Sequence, residues 1–249
     1  MDLEICVDSV ESAIAAERGG AQRIELCSAL SEGGITPSSG LIRCVRQAVT
    51  LDIFVMIRPR GGDFIYTRTE FDVMRQDIRD AQALGATGIV LGLLTEDDRV
   101  DLERTRMLVE LARPLAITFH RAFDLCEDLD RALDDVIACG ADRLLTSGGR
   151  PDAVRGTRRI ARLHEAAGGR IRIMAGGGIR AANVAQLVQR TGIRDVHSSL
   201  NGNRDSGERE TVSAAAYLQP DATPHFMVLE DDVRSFKAAL DAVSANADA

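Results

Sequence analysis

A carboxylate and a thiol stand two residues apart at two places near the start of the chain. The segment LEIC carries Glu4 and Cys6, and the segment RIELC carries Glu25 and Cys27. Carboxylates can transfer protons, and two thiols on neighbouring parallel strands could share one ligand. Both segments have the length and aliphatic content of buried strands, where a lone carboxylate is costly unless it has a partner.

Two later segments carry further groups that could do chemistry. RPRGGDFIYT contains Arg58, Arg60 and Asp63 around a Gly-Gly turn, and arginine pairs of this kind bind carboxylate or phosphate; the alternative is a surface turn with solvated charges. FHRAFDL contains His120 and Asp124. A histidine near a carboxylate can act as general base or metal ligand, and the alternative is a satisfied core histidine.

Glycine-rich segments near residue 176 predict an anion site. MAGGGIR supplies Gly176, Gly177 and Gly178, and DVHSS supplies His197 and Ser198. Glycines at this position expose backbone N–H groups at the start of the next helix, which favours an anion. In α/β barrels, phosphate commonly binds at the loops that follow strands seven and eight.

The elements that must position these groups alternate along the chain. Eight short apolar runs are separated by segments of helical period, and four of the joints from helix to strand begin with glycine: Gly20, Gly85, Gly140 and Gly192. This pattern predicts an α/β fold, a single-domain (β/α)8 TIM barrel; the second choice is an open doubly wound sheet. We expect an irregular loop or arm over residues 201–229 and a closing helix over 230–245.

Alternation within the strands predicts which side chains face the barrel interior. Aliphatic residues form the helix-facing set, so the inward set is polar: Glu4, Cys6, Glu25, Cys27, Arg58, Thr118, His120 and His197. Arg58 is an available partner for the carboxylates. Two structural alternatives stay open, an ion network that closes the barrel and cysteines that are simply small buried apolar residues.

Composition narrows the partners. A net charge of −8 over 249 residues makes nucleic acid and anionic membrane unsuitable partners, and no apolar run is long enough to span a bilayer. Five cysteines without CxxC spacing argue against a disulfide framework or a zinc knuckle and favour reduced thiols in the cytoplasm. The oligomeric state stays open, with a homo-oligomer as one alternative.

Taken together, the motifs RIELC, EGGITPSSG, IRPRGGDFIY, ITFHRAFD, RLLTSGG, IMAGGGIR and DVHSS resemble the CutC family. The resemblance implies a cytoplasmic TIM barrel that binds copper and takes part in copper homeostasis. On the family pattern, Cys6 and Cys27 match the positions proposed for copper.

Two functional hypotheses follow. The first is a copper-handling protein in which Cys6 and Cys27 bind Cu(I). The second is an enzyme that acts on a small phosphorylated or carboxylate substrate at the C-terminal rim. Its candidate catalytic residues are Glu25, Arg58, His120 and Asp124. Its candidate anion-binding residues are Arg58, Arg60, Asp63, Gly176, Gly177, Gly178, His197 and Ser198.

Overall fold

A computed structural model describes residues 1–200 and 227–247 of the chain. The predicted irregular segment lies outside the described residues except for its last three positions. The strands are β1 (Asp2–Val7), β2 (Arg23–Leu26), β3 (Asp52–Met56), β4 (Gly88–Leu91), β5 (Ala116–Phe119), β6 (Arg143–Thr146), β7 (Arg172–Ala175) and β8 (Asp195–Ser198). The helices are α1 (Val10–Arg18), α2 (Ser39–Ala48), α3 (Arg68–Ala83), α4 (Leu102–Ala112), α5 (Leu129–Ala138), α6 (Ala153–Ala167), α7 (Ala181–Thr191) and α8 (Glu230–Ala247), and two 3-10 turns span Leu30–Glu32 and Arg121–Leu125.

The eight strands form one closed parallel barrel in sequence order. Strand β1 pairs with β2 on one side and with β8 on the other, so Glu4 lies opposite Arg23 in one register and opposite His197 in the other. This closure confirms the predicted (β/α)8 fold and excludes the open doubly wound sheet.

Local sequence signals explain the element boundaries. Gly20, Gly85, Gly140 and Gly192 all have positive φ, between +74° and +95°, so each makes the left-handed turn that the glycine joints predict. At the other end, a Ser, Thr or Asp side chain caps six helices by accepting a backbone N–H of the first turn: Ser9, Ser38, Thr67, Asp101, Asp128 and Asp152.

Successive side chains along each strand point to opposite faces, which produces two buried layers. The helix-facing aliphatic residues, such as Leu3, Ile5, Ile24 and Leu26, are fully buried against the helices. Inside the barrel, a smaller apolar group consists of Cys6, Cys27, Phe54, Met56 and Val90. Every residue of the predicted inward set is buried, and the contacts of Cys6 with Cys27 and of Glu4 with His197 agree with the predicted face. In the described ranges, no helix combines the length and the apolar character that a bilayer crossing requires.

Candidate functional site

A cavity of about 240 Å3 opens at the C-terminal ends of the strands. Its walls come from β1, β2, β3, β6 and β8 and from the segments that follow β2, β3, β5, β7 and β8. The lining residues are Cys6, Glu25, Leu30, Gly33, Met56, Arg58, Phe64, His120, Arg121, Leu145, Gly177, Gly178, Arg180, His197, Ser198 and Ser199. This is the end of the barrel at which TIM-barrel proteins carry their functional sites.

The two cysteines of the repeated motif meet beside this cavity. Cys6 and Cys27 extend from neighbouring strands, and their sulfur atoms lie 3.8 Å apart. Cys6 lines the cavity, while Cys27 is fully buried behind it. Glu25 completes the group, because its Oε2 lies 3.5 Å from the Cys27 sulfur. These three side chains could together hold a metal ion.

The surroundings shift the pKa values of the two thiols in opposite directions. The hydrogen bond that links Cys6 to Cys27, together with the nearby His197, lowers the pKa of Cys6 to about 6, although burial opposes the thiolate. The same hydrogen bond, together with burial, raises the pKa of Cys27 well above its usual value. The two shifts favour the thiolate form at Cys6, which lines the cavity, over Cys27.

Glu25 holds a proton more tightly than an ordinary carboxyl group. Burial and the neighbouring Cys6 raise its pKa well above the usual value. Its Oε1 is buried and has no hydrogen-bond partner among the described residues. A buried polar atom without a partner costs free energy, and such atoms are often completed by a ligand or water.

A buried ion network lies beneath the cavity. Glu4 bonds to the Arg23 guanidinium and, through Oε1, to His197 Nδ1 at 2.8 Å. Arg23 and Arg143 both also contact Asp195, at 3.4 Å and 3.5 Å. Burial raises the pKa of Glu4, but Arg23 and His197 outweigh it and bring that pKa to about 2. Burial disfavours the charged form of His197, yet Glu25, Cys6 and Glu4 raise its pKa well above the usual value.

The arginine that holds the buried carboxylate is therefore Arg23 rather than Arg58. The Arg58 guanidinium donates to the carbonyl oxygens of Glu32, Gly34 and Gly62 and lies over the Phe64 ring. These bonds tie the loops after β2 and β3 together, and Arg58 still lines the cavity. A structural ion network does exist inside the barrel, as one alternative expected, but around a different arginine.

Arg60 and Asp63 lie outside the cavity lining. Arg60 Nη2 bonds to Asp63 at 2.9 Å, and Arg60 Nε bonds to Glu70 at 2.6 Å. Glu70 also belongs to a reciprocal cap with Thr67 at the start of α3. The polar groups of this turn therefore satisfy one another at the rim.

His120 lines the cavity in a defined tautomer. The backbone N–H of Ala122 donates to its Nδ1 at 3.2 Å, so the ring proton resides on Nε2. Burial and the positive charge of Arg58 lower the pKa of His120 to about 3. Nε2 has no partner among the described residues. The lowered pKa and this tautomer favour a neutral ring with its N–H at Nε2.

Of the remaining predicted residues, some hold the surrounding loops in place and others line the cavity. Asp124 accepts from the backbone N–H groups of Ser147 and Gly149 and bonds to Arg121, so it fixes the loop after β6. Gly177 and Gly178 line the cavity, whereas Gly176 packs against Leu145. Ser198 also lines it, with its hydroxyl donating to the Ile179 carbonyl.

Sequence reasoning missed four arginines and one aspartate at the site. Arg23, Arg143 and Asp195 each occupy the first position of a strand and share the inward parity of the residues that were predicted. Extending the inward–outward alternation two residues toward the start of each strand would have identified them. Arg121 and Arg180 line the cavity from loops, where no periodicity applies.

Comparison with known proteins identifies the family. The model of the CutC family matches residues 1–202. The chain belongs to the CutC family. The human "Copper homeostasis protein cutC homolog" is 50% identical over 214 residues, which cover 86% of this chain and 78% of the human protein. A family protein CutC of Chromobacterium violaceum is 50% identical over 207 residues, covering 83% of this chain and 84% of its own.

A solved structure agrees with this assignment. The crystal structure of the copper homeostasis protein CutC of Streptococcus agalactiae superposes with a TM-score of 0.77 at 33% identity. The match covers 80% of this chain and 98% of that chain. Family membership and the barrel fold are therefore established together, and the names of the relatives connect the family with copper homeostasis.

Proposed function

We propose that this CutC family member serves copper homeostasis by binding Cu(I) between Cys6 and Cys27. The observation that carries the proposal is the 3.8 Å separation of the two sulfur atoms. A metal–thiolate bond is about 2.3 Å long for Zn2+, so two sulfur atoms that share one ion of similar size lie at most about 4.6 Å apart. The pair meets this limit without any rearrangement of the strands.

The chemistry of the donors favours a soft monovalent ion. Thiolates select Cu(I) among the metals of a reducing compartment, and Cys6 needs little change to become a thiolate because its pKa is about 6. Glu25 supplies one further oxygen within the same group. A structural Zn2+ site takes four protein ligands as a rule, which this group of three does not provide.

Anaerobic Cu(I) titration against a chelator of known affinity tests the site. In a Cys44→Ser background, which removes the exposed thiol, we expect Cys6→Ser/Cys27→Ser to weaken Cu(I) binding by more than about 100-fold, beyond the loss that changes outside the ligand shell produce. Unchanged affinity in that variant would overturn the proposal.

The matched control uses the two buried cysteines outside the Cys6–Cys27 pair, neither of which lines the cavity. In the same background, Cys126→Ser/Cys139→Ser removes the same number of buried thiols, and we expect wild-type Cu(I) affinity. A parallel Zn2+ titration separates the metals: tighter retention of Zn2+ than of Cu(I) at Cys6 and Cys27 would also overturn the assignment.

A further inference from the structure

His120, which lines the cavity, has a polar atom that a copper ion between the sulfur atoms does not explain. His120 is only 4% exposed, and its Nε2–H has no partner among the described residues. Gly92 lies against the Nδ1 and Cε1 side of the ring, where a Cβ would come within 2.4 Å, and Ala122 N–H occupies Nδ1. The ring is therefore held in one orientation, with Nε2–H as the group left to donate to a ligand.

The charge of the cavity points to an anion. Among the described residues that line it, three are arginines (Arg58, Arg121 and Arg180) and one is a carboxylic acid, Glu25. This cationic lining belongs to a chain with a net charge of −8. A positive cavity in an acidic protein concentrates small anions at its mouth.

The loops at the mouth have the form of a phosphate site. Gly177 and Gly178 have φ values of +96° and +68° and lead into α7, an eleven-residue helix. A Cβ on Gly177 would lie 3.2 Å from Arg121 Nη1, so glycine allows the guanidinium to approach the backbone there. Arg121 is oriented by Asp124 and Ser147. A guanidinium beside a glycine-rich helix N-terminus suits a phosphate group.

We propose that the cavity binds a small phosphate monoester that carries a hydroxyl or carbonyl oxygen. The phosphate contacts Arg121 and the Gly177–Gly178 backbone, and the second oxygen accepts the hydrogen bond from His120 Nε2. The volume of about 240 Å3 is below the roughly 300–1,000 Å3 typical of sites for drug-sized ligands, so the ligand is a small metabolite. This site is separate in its chemistry from the thiol pair.

Isothermal titration of the metal-free, reduced protein with glycerol 3-phosphate tests the proposal. Inorganic phosphate, glycerol and glycerate serve as the matched partial ligands. We expect glycerol 3-phosphate to bind about tenfold or more tightly than inorganic phosphate, the effect of one added hydrogen bond. Glycerol and glycerate are expected to bind more weakly than either phosphate compound.

Three variants test the two contacts separately, that of the phosphate with Arg121 and that of the second oxygen with His120. His120→Asn keeps an acceptor for the Ala122 N–H and removes the Nε2–H, so glycerol 3-phosphate should bind no more tightly than inorganic phosphate. Arg121→Ala should weaken both phosphate compounds by about tenfold or more. Arg150→Ala, which removes an exposed arginine outside the cavity lining, should leave both affinities unchanged.

Four results would overturn the proposal. They are absence of glycerol 3-phosphate binding, equal affinity for glycerol 3-phosphate and inorganic phosphate in the wild type, binding of glycerate as tight as that of glycerol 3-phosphate, and equal losses in Arg121→Ala and Arg150→Ala. Because the titrations use metal-free protein, none of these results bears on Cu(I) binding.

Discussion

Cys6 takes its chemical character from residues on two other strands. Cys6 shares a sulfur–sulfur hydrogen bond with Cys27 on β2, and His197 on β8 adds positive charge. His197 is itself held by Glu4 through Nδ1 at 2.8 Å. A buried thiol without such neighbours would have a raised pKa, as Cys126 and Cys139 do, at about 11 and about 12, chiefly because of burial.

This arrangement predicts the pH dependence of Cys6 alkylation. The thiolate is the reactive form, so its rate with iodoacetamide should rise with pH through about 6 and level off above about pH 7. An unperturbed thiol, with a pKa near 9.0, would continue to gain reactivity over that range. The measurement is the alkylation rate by mass spectrometry in a Cys44→Ser background, and His197→Asn should move the midpoint upward. A midpoint near pH 9 in both proteins would contradict the electrostatic account.

At the scale of residues, the sequence predicted which strand residues face the barrel interior but not which side chains they contact. The period of two along β1 and β2 placed Glu4, Cys6, Glu25 and Cys27 inside the barrel, and all four are buried. It could not predict that Arg23 would hold Glu4, or that His120 would be a neutral donor. Arg23 is also contacted by Asp195, 172 positions along the chain, and the pKa of His120 is lowered first by burial and then by the charge of Arg58.

At the scale of elements, α8 closes the ring of helices. It packs between α1 and α7, and its buried residues include Val233, Phe236 and Leu240. Gly19, which ends α1, lies directly under this helix: a Cβ there would come within 2.3 Å of the Val233 Cβ. Its φ of −76° is ordinary, so the glycine is required by the close approach of the two helices and not by its backbone conformation.

Substituting this glycine should therefore separate α8 from α1. We expect Gly19→Ala to lower the free energy of unfolding by about 1–3 kcal/mol, the usual cost of overpacking. Gly40→Ala is the matched control within α2, because the nearest atom to its Cβ would be Ser38 Oγ at 3.8 Å and alanine favours helix. Urea unfolding of the three proteins provides the comparison. Equal stability of Gly19→Ala and wild type would show that the helices can move apart freely.

The elements were the most predictable part of the molecule, because periodicity and glycine joints are local signals. The loops were the least predictable. The sequence predicted that Arg60 and Asp63 bind an anion. In the structure Arg60 forms an ion pair with Glu70 on α3, and Arg121 and Arg180 line the cavity instead. The direction of a loop side chain depends on which neighbouring element supplies its partner, and no period in the sequence records that choice.

At the scale of the whole molecule, the buried ion network joins the first and last strands of the barrel. Arg23 on β2 contacts Glu4 on β1 and Asp195 on β8, so one guanidinium spans the three strands at which the sheet closes. The cavity lies directly above this closure, and His197 connects the two through Glu4. The order of the strands followed from the sequence, but the residues that meet across the closure did not, because they are 172 positions apart.

Removing this guanidinium should destabilise the whole barrel. Arg23→Met leaves the Glu4 carboxylate buried without its main partner, and we expect a loss of about 3–5 kcal/mol in the free energy of unfolding. Arg23→Met/Glu4→Gln removes both charges and should recover part of that loss. Urea unfolding at neutral pH provides both values. A double variant that is no more stable than Arg23→Met would show that packing of the arginine, rather than the charge left behind, determines the loss.

The same network predicts how stability depends on pH. The pKa of Glu4 is about 2 in the folded protein against an ordinary value of 4.5, so its charge stabilises the fold above about pH 4.5. That contribution is lost as the pH falls from about 4.5 to about 2. Urea unfolding midpoints across this range should therefore fall more steeply for the wild type than for Arg23→Met/Glu4→Gln, which lacks the titrating group. Parallel slopes would mean that folding does not lower the pKa of Glu4, and the electrostatic role assigned to Arg23 in joining the first and last strands would then be wrong.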